Sequence, residues 1–139
     1  MTEKAAIAHI LSTCRTVAVV GLSPKPQRAS FDVSRYMQTQ GWRVVPINPV
    51  AAASGTLILG EKVYATLTEA AQHEAIDLVN VFRNAEDVPP IVGEAIALGL
   101  PALWLQLGIS HEAAAAQARA AGLHVVQNKC LKVEHALRT

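Results

Sequence analysis

The sequence predicts an α/β fold: a single domain over residues 1–139, with a Rossmann-like, doubly wound parallel five-stranded sheet and helices on both of its faces. Short runs of Val, Ile and Leu have the length and branching of strands that are covered on both sides. Amphipathic segments of helical period separate these runs. Strands that alternate with helices to the end of a chain imply right-handed crossovers, and therefore parallel strands.

The predicted elements alternate along the whole chain. A short amphipathic helix is predicted over residues 1–13. Strands are predicted over residues 16–21, 42–47, 77–82, 102–107 and 124–126. Helices are predicted over residues 30–40, 66–73 and about 131–137, together with one that ends at residue 98 and one between residues 110 and 122.

Capping signals place the helix ends. Ser30 and Ser110 are predicted to be N-caps, since a serine hydroxyl can accept the free N–H groups of a first turn. Thr66 and Glu69 form the T-x-x-E pattern of a helix start. Helix ends are predicted at three glycines, Gly41, Gly99 and Gly122. The segment 48–63 gives no clear pattern, and no element is predicted there.

The loop after the first strand has the chemistry of a phosphate site. Gly21 allows a sharp turn, and a helix start next to it provides free N–H groups and the positive end of a dipole. Ser23, Lys25 and Arg28 add polar donors and positive charge within ten residues. The loop is therefore predicted to bind an anion.

The same loop argues against a dinucleotide. The G-x-G-x-x-G fingerprint needs small residues so that the backbone can approach a pyrophosphate, and here only Gly21 is present. NAD enzymes also place an acid at the end of the second strand to bind the ribose. This chain has Asn48 and Pro49 there. The sequence favours a nucleotide ligand other than NAD.

Composition narrows the remaining classes of function. Of 139 residues 51% are hydrophobic and the net charge is +1, so nothing indicates binding to nucleic acid. No apolar stretch approaches the roughly 18 residues of a membrane span, and a cytoplasmic location is expected. Cys14 and Cys130 are too few for a disulfide framework, and the five histidines lack metal-ligand spacing.

In open parallel sheets, ligands bind outside the carboxyl ends of the strands. Those ends form a cationic, amide-rich rim, which suits a ligand with several phosphates and an amide-bearing tail. The candidate binding residues are Gly21, Leu22, Ser23, Lys25, Arg28 and Ser30 in the first loop, then Ile47, Asn48, Pro49, Phe82, Arg83, Gln106, Gly108, Ile109, Asn128 and Cys130.

Five ordered blocks carry a family resemblance. They are GLSPKPQRAS, GWRVVPINP, VNVFRNAEDVPPIVGEA, ALWLQLGI and AAGLHVVQNKCLKVEH. The set resembles the small stand-alone CoA-binding-domain proteins, which are related to the front domain of the succinyl-CoA synthetase α subunit. Unlike the synthetases, the chain is expected to have no second domain with a phosphorylated histidine. Val50 also stands where they carry a lysine after the proline.

The resemblance implies coenzyme A as the ligand and assigns each rim residue a part of it. It implies Gly21, Ser23, Lys25 and Arg28 along the phosphates, Ile47 and Pro49 beside the adenine, Phe82 and Arg83 on the nucleotide side, Gln106 and Gly108 along the pantetheine, and Asn128 and Cys130 at its far wall.

Structural roles compete with these assignments. Lys25 and Arg28 could be solvated loop charges, and Arg83 could pair with Glu86 or Asp87. Two amides, Gln106 and Asn128, could make internal hydrogen bonds, and Cys130 could be a packing residue.

Three functions fit the sequence. The favoured one is non-catalytic binding of CoA or an acyl-CoA. A second is a CoA-binding subunit of an acyl-CoA synthetase or transferase with a separate, unidentified protein partner. A third is an NAD(P)-binding redox protein. No nucleophile with its own base is visible, so no catalytic residue is predicted.

Overall fold

A computed structural model describes residues 2–138 and contains one all-parallel sheet of five strands in the order β2-β1-β3-β4-β5. The predicted doubly wound α/β fold is confirmed. The strands are β1 Thr16–Val20, β2 Arg43–Ile47, β3 Leu78–Val81, β4 Ala102–Leu105 and β5 His124–Val126.

Seven helices connect and flank the strands in the described part of the chain. They are α1 Glu3–Thr13, α2 Ala29–Thr39, α3 Pro49–Ser54, α4 Leu67–Ala71, α5 Val88–Ala97, α6 Glu112–Ala120 and α7 Leu131–Ala136. A 3₁₀ turn, Ala85–Asp87, precedes α5. The predicted N-terminal helix is confirmed from residue 3 onward, and position 1 lies outside the described residues.

The sheet separates two apolar layers, because successive side chains of a strand point to opposite faces. In β1, Val17 and Val19 pack with α1, α2, α3 and α7. Ala18 and Val20 pack with α4, α5 and α6 on the other face. No described helix is long and apolar enough to cross a bilayer.

Two predicted N-caps are wrong. Helix α2 begins at Ala29, and Ser30 lies inside its first turn with its hydroxyl turned back to accept from the Ser23 N–H at 3.0 Å. Helix α6 is capped by His111, whose Nδ1 accepts from Ala114 N–H at 3.1 Å, and Ser110 lies outside. Ser30 lies two residues after the cap position, Arg28, and Ser110 lies one residue before His111.

The unassigned segment 48–63 contains α3. Asn48 caps this helix by accepting from the Val50 and Ala51 N–H groups, and Pro49 takes the first helical position. This is the usual chemistry of a helix start. The predicted cap at Thr66 is confirmed, since its hydroxyl accepts from Glu69 N–H at 3.1 Å.

Candidate ligand-binding cleft at the carboxyl ends of the strands

The strand order reverses between β1 and β3, because β1 connects outward to β2 and β3 connects the other way to β4. Crevices form at such switch points. Gly21 follows β1 at this point with a φ of +90°, and a Cβ built on it would lie 2.7 Å from the Phe82 carbonyl oxygen. A side chain at position 21 would therefore push apart the two strand ends that form the crevice.

The loop between β1 and α2 holds its own shape. The Ser23 N–H donates to the Ser30 hydroxyl, and the Lys25 N–H donates to the Ser23 hydroxyl at 3.1 Å. The Arg28 N–H donates to the Lys25 carbonyl at 3.0 Å. These three N–H groups are engaged within the loop, so they are not the donors that the loop offers to a ligand.

The start of α2 supplies the free donors. Arg28 makes no side-chain cap, and within residues 2–138 the Ala29 and Ser30 N–H groups have no hydrogen-bond acceptor. The Lys25 and Arg28 side chains are exposed and make no ion pair in that range. A cavity of about 440 Å³ opens here, lined by Gly21, Ser23, Lys25, Arg28, Ala29, Ser30 and Phe82. Uncapped N–H groups and unpaired cations are groups that attract an anion.

A second cavity, of about 470 Å³, continues past Phe82 toward the ends of β4 and β5 and shares Ala29 and Phe82 with the first. Most of its wall is apolar or uncharged. It is lined by Ala29, Asp32, Val33, Phe82, Arg83, Asn84, Ala85, Gln106, Leu107, Gly108, Ile109 and Cys130.

The two charged residues of the second cavity are both ion-paired. Asp32 lies 2.9 Å from the Lys132 ammonium and also pairs with Arg35. The hydrogen bond from Lys132 is the main cause that lowers the pKa of Asp32. Arg83 Nε lies 3.4 Å from Asp87, the pairing considered from the sequence. The wall of this cavity therefore has little net charge to offer a ligand.

Gln106 lies at the floor of the second cavity and is only 5% exposed. Its Oε1 accepts from the Leu131 N–H and from Asn80 Nδ2, each at 3.3 Å. Asn80 Nδ2 also donates to the Trp104 carbonyl. The Gln106 Nε2 group has no acceptor among the described residues.

The structure brings most of the predicted rim together. Eleven of the predicted residues line one cavity or the other: Gly21, Ser23, Lys25, Arg28, Ser30, Phe82, Arg83, Gln106, Gly108, Ile109 and Cys130. Five do not: Leu22, Ile47, Asn48, Pro49 and Asn128.

Those five residues lie in the core, at the start of α3 or in a turn. Leu22 and Ile47 are buried in the core, and the Leu22 carbonyl accepts from Asn48 Nδ2 at 3.0 Å. Asn128 adopts a φ of +55°, and its Oδ1 accepts from the Gly108 N–H at 2.7 Å. Asn128 therefore stabilises the turn after β4 through this hydrogen bond, and it does not line the cavity.

Six lining residues were not among the candidates, and two kinds of signal could have found them. Ala29, Asp32 and Val33 occupy one face of α2 at helical spacing, so the helix that begins at the first cavity also lines the adjoining one. The other three, Asn84, Ala85 and Leu107, belong to the loops after β3 and β4.

No group of three or more His, Cys, Asp or Glu side chains is placed to hold a metal ion within residues 2–138. Among the residues that line these two cavities, Cys130 is the single thiol and there is no histidine.

A family model described as a CoA binding domain matches residues 15–136. The chain belongs to this CoA-binding domain family. It is 37% identical over 135 residues to the uncharacterized protein YneT of Bacillus subtilis (strain 168), covering 97% of this chain and 96% of YneT.

Solved structures agree with the fold. A Thermus thermophilus protein, cell-free ID.343, superimposes with a TM-score of 0.89 at 34% identity, with 100% of both chains covered. A hypothetical protein from Pyrococcus horikoshii OT3 gives 0.88 at 31% identity, covering 99% of this chain and 92% of that one. A dinucleotide-forming acetyl-coenzyme A synthetase of Ca. Korarchaeum cryptofilum matches at 0.67 and 20% identity, covering 82% of this chain and 26% of the synthetase, and shares the fold.

Proposed function

We propose that this chain binds coenzyme A, free or acylated, and does not itself transform it. The diphosphate would lie in the first cavity, against the start of α2, Lys25 and Arg28. The pantetheine arm would run past Phe82 into the second cavity. In this function residues 1–139 act as one binding domain.

The observation that carries the proposal is the division of the cleft at Phe82. On one side are unpaired cations and free N–H groups, and on the other is a largely uncharged channel of similar volume. Coenzyme A has the same division, with a polyanionic head and a neutral amide-bearing tail. Family membership supports the same ligand class.

The adenine end would lie beside α3. Asn48 joins α3 to the loop after β1 through its hydrogen bond to the Leu22 carbonyl. Pro49 is exposed, and Val50 is 81% exposed. These side chains offer an apolar surface next to the loop for a flat base, whereas Ile47 would support that surface from the core.

NAD fits the same cleft poorly. The end of β2 carries no acid for the ribose hydroxyls, and the Asn48 side chain is engaged in capping α3. The loop lacks the second and third glycines that would let the backbone approach a pyrophosphate. Its anion site depends on side chains instead.

Native mass spectrometry of the purified chain tests the proposal. With added CoA we expect one population heavier by one CoA, and a second spectrum of the protein as purified shows whether ligand is retained. A spectrum without any adduct at saturating CoA would remove the proposed function.

A further inference from the structure

The amide of Gln106 has a fixed orientation. Its Oε1 lies 3.3 Å from the Leu131 backbone N–H, which can only donate, so the oxygen and not the nitrogen must face α7. Asn80 is fixed in the same way, because its Nδ2 lies beside the Trp104 carbonyl, which can only accept. Asn80 then donates to the same Gln106 oxygen. Both partners require the Gln106 NH₂ group to point away from them.

The remaining Gln106 Nε2 therefore presents only donors. It belongs to a residue that is only 5% exposed, lines the second cavity, and has no acceptor within residues 2–138. The cavity is open, so this donor faces solvent until a ligand covers it. A ligand that fills the cavity removes that solvent and favours an acceptor at this position, because a donor left without a partner is costly.

The position along the sheet edge indicates which acceptor it is. Going outward from the anion site after β1, the strands follow in the order β3, β4 and β5. Neighbouring strands are about 4.8 Å apart, so the end of β4 lies roughly 10 Å from the end of β1. With the diphosphate at β1, the pantetheine amides would pass near β3, and the sulfur end would reach β4 and β5, where Gln106 and Cys130 lie.

The walls around that end suit an uncharged group. Val33, Leu107 and Ile109 line the cavity. Its charged residues, Asp32 and Arg83, are already paired with Lys132 and Asp87. A carboxylate brought here would lose water beside apolar side chains and meet the Asp32 carboxylate, and the Arg83 guanidinium in the wall already donates through Nε to Asp87.

We infer that this cavity takes the acyl end of an acyl-CoA whose acyl group is uncharged, and that Gln106 Nε2 donates to the thioester carbonyl oxygen. The inference rests on the proposed function, and Asn80 serves in it as a positioning residue.

Calorimetry of the full chain with four ligands tests it: CoA, butyryl-CoA, succinyl-CoA and S-butyl-CoA, a thioether that lacks the carbonyl oxygen. Butyryl-CoA is expected to bind about fivefold tighter than S-butyl-CoA, the factor for one net hydrogen bond. Succinyl-CoA is expected to bind roughly tenfold more weakly than butyryl-CoA, because its carboxylate would lose water beside an apolar wall that also carries the Asp32 carboxylate.

A protein variant separates the thioester from the pantetheine amides. Gln106→Glu, measured at pH 8, keeps an oxygen for Leu131 and Asn80 and replaces the donor by a second oxygen. The advantage of butyryl-CoA over S-butyl-CoA should disappear in this variant, and this ratio is the readout, because the new carboxylate can also change the affinity for CoA. Gln117→Glu on the exposed side of α6 is the matched control and should change none of the ratios.

The outcomes distinguish the inference from the proposed function. Equal binding of butyryl-CoA and S-butyl-CoA by the unaltered chain would overturn the inference while leaving CoA binding intact, and this comparison does not depend on any variant folding. If Gln106→Glu weakens the binding of all four ligands by the same factor, the donor contacts a pantetheine amide, and the inference is also overturned. If CoA and its thioesters all fail to bind, the proposed function fails and the inference with it.

Discussion

At the scale of single residues, Gly21 joins the fold to the cleft. It combines a φ of +90° with a backbone oxygen, that of Phe82, at 2.7 Å from where a Cβ would stand. Gly41 has nearly the same φ, +88°, and nothing within 4 Å of its Cβ position. Comparing substitutions at these two glycines therefore separates the free-energy cost of an unfavourable φ from the cost of steric crowding.

Gly21→Ala is expected to destabilise the chain more than Gly41→Ala. Each replacement loses about 1 kcal/mol from its unfavourable φ. Gly21→Ala must in addition displace the end of β3. Urea unfolding of both variants measures the difference, and equal losses would show that β1 and β3 do not approach as closely as described here.

Lys25 and Arg28 are the residues on which anion binding should depend. Replacing both by Ala is expected to weaken CoA binding by roughly 2–4 kcal/mol, since a hydrogen bond to a charged group is worth about 1.5–3. The melting temperature should hardly change, because both side chains are exposed and unpaired among the described residues. Calorimetry checks the first statement and thermal unfolding the second.

The double variant Lys4→Ala with Arg119→Ala removes the same charge away from the loop, on α1 and α6. It should bind CoA normally. If the two double variants bind alike, the phosphates lie elsewhere on the chain.

At the scale of elements, α7 and β5 each place a histidine where its protonation is disfavoured. His135 Nδ1 lies 2.8 Å from the Tyr36 hydroxyl, and burial, with a smaller effect of Arg15, lowers the pKa of His135. His124 lies 4.1 Å from His9 between ring centroids. Burial and then His9 lower the pKa of His124.

Stability should therefore fall as the pH falls below about 6.5, the ordinary histidine value. Below that pH the unfolded chain binds more protons than the folded chain does. The free energy of unfolding therefore rises with pH and levels off above about 6.5. The urea midpoint should be lower at pH 5.5 than at pH 7.5. Asp32 and Glu74 have lowered pKa values, so they reduce stability only as the pH falls toward the ordinary carboxylate pKa of about 4. They do not affect the comparison between pH 5.5 and pH 7.5.

Replacing His124 and His135 by Gln should flatten this dependence, and His73→Gln should not, because His73 is exposed. A slope that survives in the double variant would place the responsible groups elsewhere.

The elements also show what the sequence could and could not predict. Strong local patterns, such as the Val run of β1 and the Thr66 cap, predicted their elements correctly. The short helix α3 gave no periodicity over its six residues, although Asn48 and Pro49 carried the signal of a helix start. The predicted cap at Ser30 is wrong because the Ser30 hydroxyl accepts from the Ser23 N–H in the preceding loop.

At the scale of the whole molecule, the parallel sheet brings the ends of β1, β3, β4 and β5 to one edge, where the two cavities open. The rule that ligands bind at carboxyl ends predicted most, but not all, of the loop residues that line these cavities. It missed the face of α2 carrying Asp32 and Val33, since the direction in which a helix turns depends on packing against distant strands. It included Asn128 because sequence position does not show that this amide is engaged by Gly108.

The most direct test of the central claim is calorimetric titration of the same protein preparation with CoA and with NAD. The donor-rich loop after β1 and the missing acid at Asn48 predict one CoA bound per chain with micromolar or better affinity and no measurable heat with NAD. Binding of NAD in the absence of binding to CoA would contradict the account.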